Sequence, residues 1–103
     1  MGYTTPEAKL SHEVIKYLKD CRDKKGYPLI YGHRSGKTDI LGEPDIWFAV
    51  NGVHVECELK AADGKLSGAQ EKFRWRCTEQ FKCLHMVPRT LEEVIEVVEA
   101  LRQ

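Results

Sequence analysis

The chain has 103 residues, of which 42% are hydrophobic and 31% charged. That composition belongs to one globular domain rather than to a disordered, collagen-like or membrane-spanning chain. A chain of this size buries only roughly 60–65% of its unfolded surface, which excludes a large multi-domain enzyme and points to one domain over residues 1–103. Its 16 Lys and Arg balance 16 Asp and Glu, so no net positive charge advertises a nucleic-acid partner.

The balance hides a pattern. Residues 1–42 carry 8 basic and 5 acidic side chains and residues 59–89 carry 7 and 3, whereas residues 43–58 hold four acids and no base. Two basic segments thus flank an acidic centre. The longest uncharged apolar run, Ile46 to Val50, is far short of the roughly 20 residues of a membrane span. No apolar signal-peptide core opens the chain, so the expected location is the cytoplasm. Cys21, Cys57, Cys77 and Cys83 form no C-x-x-C pair and are expected to be reduced, mostly buried thiols.

In chain order, Thr4, Thr5 and Pro6 supply a helix start, and Leu10, Val14, Leu18 and Cys21 recur at helical spacing, which predicts a first helix from Pro6 to Lys25 ended by Gly26. Leu29–Tyr31 reads as a short strand and Gly32–Pro44 as a loop. Two apolar runs, Asp45–Val50 and Val53–Lys60, flank Asn51-Gly52, a strong hairpin signal. A two-residue turn there pairs Val50 with Val53, Phe48 with Val55, Ile46 with Cys57 and Asp45 with Glu58. One hairpin face is then apolar (Ile46, Phe48, Val50, Val53, Val55, Cys57, Leu59) and the other carries Asp45, Trp47, Ala49, His54, Glu56, Glu58 and Lys60. Ser67 and Gln70 form a capping box opening a second helix that runs to Gln80, with Ala69, Phe73 and Cys77 on its buried side. Cys83–Val87 is a further strand. Thr90 and Glu93 open a last helix with the stripe Leu91, Val94, Val98 and Leu101. The predicted fold is α/β, with one mixed sheet flanked by helices.

Carboxylates directly opposite each other across a hairpin have β-carbons about 4.5–5.5 Å apart and repel. A hard divalent cation offsets that repulsion, because Mg²⁺ is commonly held by one or two carboxylates with water and phosphate. Lys60, two residues beyond Glu58, lies on the same strand face. Asp45, Glu58 and Lys60 therefore read as two metal ligands beside a cation. His54 and Glu56 share that face as a partly solvated pair. Gly32 to Thr38 has one residue too few for a P-loop, and no Pro-Cys-x-x-Cys follows His54-Val55-Glu56 to make a zinc site.

Pro44-Asp45, a hairpin and Glu58-Leu59-Lys60 together resemble the PD-(D/E)xK nuclease superfamily. With Glu13, Gly42 to Ile46, Glu56 to Lys60, and Gly64 to Gln70, the chain resembles the small stand-alone VRR-Nuc domains of phages and bacteria over residues 13–89. Val87-Pro88-Arg89 stands where the family has Val-Arg-Arg. The resemblance implies a restriction-endonuclease-like α-β-β-β-α-β core with an extra C-terminal helix, and Mg²⁺- or Mn²⁺-dependent cleavage of DNA in a bacterial or phage-infected cell. In that reading Asp45, Glu58 and the Leu59 carbonyl ligate the metal. Lys60 orients the attacking water, and Gln70 and Glu13 complete the site. Arg34, Lys37, Lys65, Lys72, Arg74, Arg76 and Arg89 are the candidate DNA contacts, reading backbone shape rather than sequence. The expected enzyme is a homodimer cutting branched DNA such as four-way junctions. A flap or general nicking nuclease, or an idle DNA-binding module, are the competing readings.

Overall fold

Asn51 and Gly52 adopt φ of 52° and 82°, the left-handed pair of a type I′ turn, and from them the hairpin zips in the predicted register. In the computed structural model, which describes residues 5–34 and 41–103, β2 (Ile46–Val50) and β3 (Val53–Cys57) pair Val50 with Val53, Phe48 with Val55 and Ile46 with Cys57. The sheet has four strands in the order β1-β2-β3-β4. β1 (Ile30–Arg34) runs antiparallel to β2, and β4 (Leu84–Met86) runs parallel to β3. Helix α1 (Pro6–Asp20) precedes β1, α2 (Gly68–Trp75) lies between β3 and β4, and α3 (Leu91–Arg102) closes the chain. This is the mixed, helix-flanked sheet that the residue pattern implies.

Alternation along the hairpin builds the core. Ile46, Phe48, Val50, Val55, Cys57 and Leu59 are all at most 2% exposed, and they pack with Leu10, Val14 and Leu18 of α1 and Val94 and Val98 of α3. On the opposite face of the sheet α2 covers the β3–β4 side, where Phe73 lies 6.3 Å from the ring of His85 and Cys77 is buried. The four thiols are free; Cys57 and Cys77 are buried and the other two half-buried. No helix among the described residues is long and apolar enough to cross a membrane.

Three boundaries differ from the sequence expectation. First, α1 stops at Asp20, five residues before Lys25, because Asp23 builds a competing turn: its carboxylate accepts the N–H groups of Lys25 (2.8 Å) and Tyr27 (2.9 Å), and Gly26 serves that turn at φ 86°. Second, β1 extends through Gly32–Arg34, residues expected in a loop, because Phe48, Trp47 and Ile46 offer a ready ladder opposite them. Third, α2 finishes in a π-helical turn, Arg76–Gln80, which seats Cys77 against the Leu84 carbonyl (3.8 Å).

Gly42, at φ 79°, lets the strand leading into Asp45 pass over the first turn of α2; a β-carbon there would sit 2.2 Å from the Ala69 carbonyl oxygen. At Gly52, φ 82°, nothing lies within 4 Å. Gly52→Ala should therefore cost only the left-handed strain, about 1–2 kcal/mol. Gly42→Ala should cost at least about 2 kcal/mol more through the clash with backbone. Paired urea denaturation curves measure the difference, and equal midpoints would show that this close approach is not rigid.

Candidate active site

The ladder between β2 and β3 ends at Ile46 and Cys57, so Asp45 and Glu58 are the first residues past it on facing strands. Asp45 follows the fully buried Pro44, whose fixed φ directs the chain into the strand. The Asp45 Oδ2 accepts the Leu59 N–H at 3.3 Å, which holds its carboxylate against the extension of β3. That extension is fixed from the other side by β4 and the residues just after β4: Glu58 N–H donates to the Met86 carbonyl (3.0 Å) and Lys60 N–H to the Pro88 carbonyl (3.2 Å).

Glu58 is 3% exposed, and it is the one charged residue among the buried side chains described. Its Oε1 is buried with no hydrogen-bond partner. Burial, and then the Asp45 carboxyl beside it, raise the Glu58 carboxyl from its ordinary 4.5 to about 8, with Lys60 opposing and Glu7 adding to the shift. A buried, orphaned carboxylate oxygen next to a second carboxylate is the donor set a hard divalent cation satisfies. Among the described residues no three His, Cys, Asp or Glu side chains converge closely enough to hold a metal by themselves. Mg²⁺ does not need three: it is usually held by one or two carboxylates, with waters and substrate phosphate making up the number.

Glu7 was not foreseen. It lines a cavity of about 310 Å³ together with Ser11, Arg34, Asp45 and Leu59, and its Oε1 accepts the Ala61 N–H at 3.4 Å. Glu13, the first-helix carboxylate expected in the site, does not line this cavity. Six residues beyond Glu7, it lies about 240° around the helix. A signal was present: Glu7 falls within about 20° of Val14 and Leu18 on the helical wheel, so it is a carboxylate placed on the apolar stripe.

The other candidates separate. The Oε1 of Gln70 accepts the Ser67 N–H (2.8 Å) and its N–H donates to Ser67 Oγ (3.2 Å), the predicted capping box; its backbone abuts Gly42, which sets α2 beside the Asp45 strand. Arg89 is half-buried and donates to the Ala61 carbonyl (2.5 Å) and the Ala62 carbonyl (3.4 Å). It braces the loop immediately after Lys60. Arg34 reaches the cavity and donates to Ser11 Oγ at 3.2 Å. Lys65, Lys72, Arg74 and Arg76 are exposed, and Lys37 lies outside the described residues. His54 stacks on Trp47, with ring centroids 5.1 Å apart, and lies 3.5 Å from Glu56.

A small mixed sheet flanked by helices, with a carboxylate pair at the end of its central hairpin, is a restriction-endonuclease-like arrangement. Among solved structures, one described as a VRR_NUC domain protein superposes on it with a TM-score of 0.71, covering 97% of this chain and 90% of its own, at 18% sequence identity. The chain has the VRR-Nuc fold. No protein-family model and no curated protein matches its sequence.

The Glu58 environment has a stability consequence. The unfolded chain ionises this carboxyl near 4.5 but the folded chain holds its proton up to about 8, so the metal-free protein loses stability as pH rises between those values. Glu58→Gln cannot ionise and should melt higher than wild type in EDTA at pH 9, by roughly 4–8 °C for each kcal/mol recovered. At pH 5 the two should melt nearly together. Melts that differ equally at both pH values would mean that the carboxyl is not desolvated.

Proposed function

We propose that the protein is a divalent-metal-dependent endonuclease that hydrolyses DNA phosphodiester bonds, with branched DNA and four-way junctions as its preferred substrates. The carrying observation is the buried, unpartnered Oε1 of Glu58 beside the Asp45 carboxyl, and the fold shared with a VRR_NUC domain protein supports it. Asp45, Glu58 and the Leu59 carbonyl are the residues that would hold Mg²⁺ or Mn²⁺. Such an ion supplies charge on the scissile phosphate and a more acidic water.

The chain's own groups do the rest. Lys60, on the same strand face as Glu58, orients the attacking water, and its compact ammonium offsets the charge that builds on the phosphate as one P–O ester bond breaks. Glu7 and Arg89 hold Ala61 through its N–H and its carbonyl, so Lys60 emerges from a braced segment. Gln70 acts as a positioning residue through the first turn of α2. Arg34 at the cavity and Lys65, Lys72, Arg74 and Arg76 around α2 contact the DNA backbone, which recognises shape rather than base sequence. Arg89, engaged in the brace, leaves that set.

A homodimer suits this reading, because a two-fold pair of sites can cut two strands. Trp75, Phe81 and Leu84 are 57%, 65% and 46% exposed, large apolar side chains of the kind a second copy would cover.

Cleavage of linear, flap and four-way-junction DNAs with Mg²⁺ and with Mn²⁺ tests the activity. Asp45→Asn should abolish cutting with the fold intact, while Lys60→Met should keep metal binding in calorimetry and lose cleavage by several orders of magnitude. Wild-type-like nicking by Asp45→Asn would overturn the assignment. Light scattering at micromolar concentration should give twice the 11.8 kDa chain mass, and Trp75→Glu should return it to one; a wild-type monomer that still makes symmetric paired nicks would remove the dimer from the reading.

A further inference from the structure

The cavity at Asp45 shares one wall residue, Arg34, with a neighbour. A second hollow, of about 430 Å³, is lined by His12, Ile15, Lys16, Lys19, Asp20 and Arg34. Arg34 belongs to both walls, and its guanidinium is held at the junction by the hydroxyl of Ser11. The two hollows therefore follow α1 from its first turn to its last. They carry opposite charge: the end with Glu7 and Asp45 is acidic, and the end with Lys16, Lys19 and Arg34 is basic. None of the α1 cations stood among the contacts expected from sequence.

The dimensions suit a nucleic-acid strand. From Glu7 to Lys19 the helix rises about 18 Å at 1.5 Å per residue, the axial length of about five phosphates of one strand in a duplex. Asp20 is the one acid in the second hollow, and it is bonded to Lys16 at 2.6 Å with both side chains well exposed. An exposed pair of this kind is screened by salt and readily exchanged for a phosphate. Lys19 has no ion pair among the described residues.

We propose that the groove along α1, ending at Arg34, holds the sugar-phosphate backbone of the DNA strand that enters the Asp45–Glu58 site, with Lys16 and Lys19 as its phosphate contacts. This rests on the nuclease reading above and gives that site its strand path. DNA then approaches past the edge strand β1 and α1, and the cations around α2 meet the far side of the cleavage point.

The test measures DNA binding without cleavage, in the Asp45→Asn chain, by fluorescence anisotropy with duplex and junction DNA at salt concentrations from about 50 to 200 mM. Each lost phosphate contact lowers the slope of log affinity against log salt by about 0.9. Lys16→Ala/Lys19→Ala should lower it by about 2, and Lys19→Ala alone, which leaves the Lys16–Asp20 pair in place, by about 1. Lys24→Ala/Lys25→Ala removes the same charge beyond the end of α1 and should leave the slope unchanged. Equal slopes for the groove variants and their parent, with unchanged circular dichroism, would overturn the strand path and leave the nuclease reading standing. A parent protein that binds no DNA at any of these salts would overturn both.

Discussion

Asp45 and Glu58 stand side by side because the turn at Asn51 and Gly52 admits one register, and a slip of a single residue would send the apolar set to the wrong face. Ile46, Phe48, Val50, Val55 and Cys57 are buried only in that register, so the hydrophobic effect drives two carboxyl groups together, at the cost of raising the Glu58 carboxyl to about 8. At about 25 cal/mol per Å² of apolar surface, a handful of core side chains outweighs the repulsion of one carboxylate pair. The fold can thus hold an arrangement that is unfavourable on its own and that a bound cation would relieve. Strain located where a ligand binds is a common property of functional sites.

The surroundings of the hairpin are arranged around that tension. α1 and α3 cover one face of the sheet and close the core, while α2 covers the β4 side of the other face and leaves the Asp45 end open to a cavity. Gly42 permits the close crossing that sets α2 beside the Asp45 strand. Glu7 and Arg89, from opposite ends of the chain, meet at Ala61. The candidate site residues therefore sit on a strand pair, and the helices contribute supports, one wall of the cavity and charge.

Much of this was legible in the sequence. The hairpin register, the apolar face, the Ser67–Gln70 capping box and the helix order follow from local rules, and the structure obeys them; at α3 Thr90 caps the Glu93 N–H, but the Glu93 carboxylate takes the Arg89 N–H instead of closing a second box. What escaped depends on partners far away in the chain. β1 gained Gly32–Arg34 because β2 offered a ladder, and α1 ended early because Asp23 had a better use for its carboxylate than a helix has. The π-helical turn adds a residue that no periodicity reports. Glu7 was readable in principle as a charge on an apolar stripe, but Glu13, at the stripe's edge, offers the same carboxylate on the same helix. For Arg89 the sequence offers a cation for phosphate, whereas its bonds to Ala61 and Ala62 depend on a reach of 28 and 27 residues that no local pattern reports.

The parallel pairing of β3 with β4 has a kinetic side. β2 meets β3 across a turn of two residues, whereas Val55 and its partner Leu84 are 29 positions apart. Closing the longer loop costs about 2 kcal/mol more in chain entropy. The Glu58 and Lys60 amides bond to the segment that this closure brings in, at Met86 and Pro88. Opening β4 locally would therefore loosen the strand that carries Glu58 and Lys60 while the hairpin and its register survive. Folding of the chain and rigidity of its Asp45–Glu58 end are set by different contacts, so the two can be lost separately.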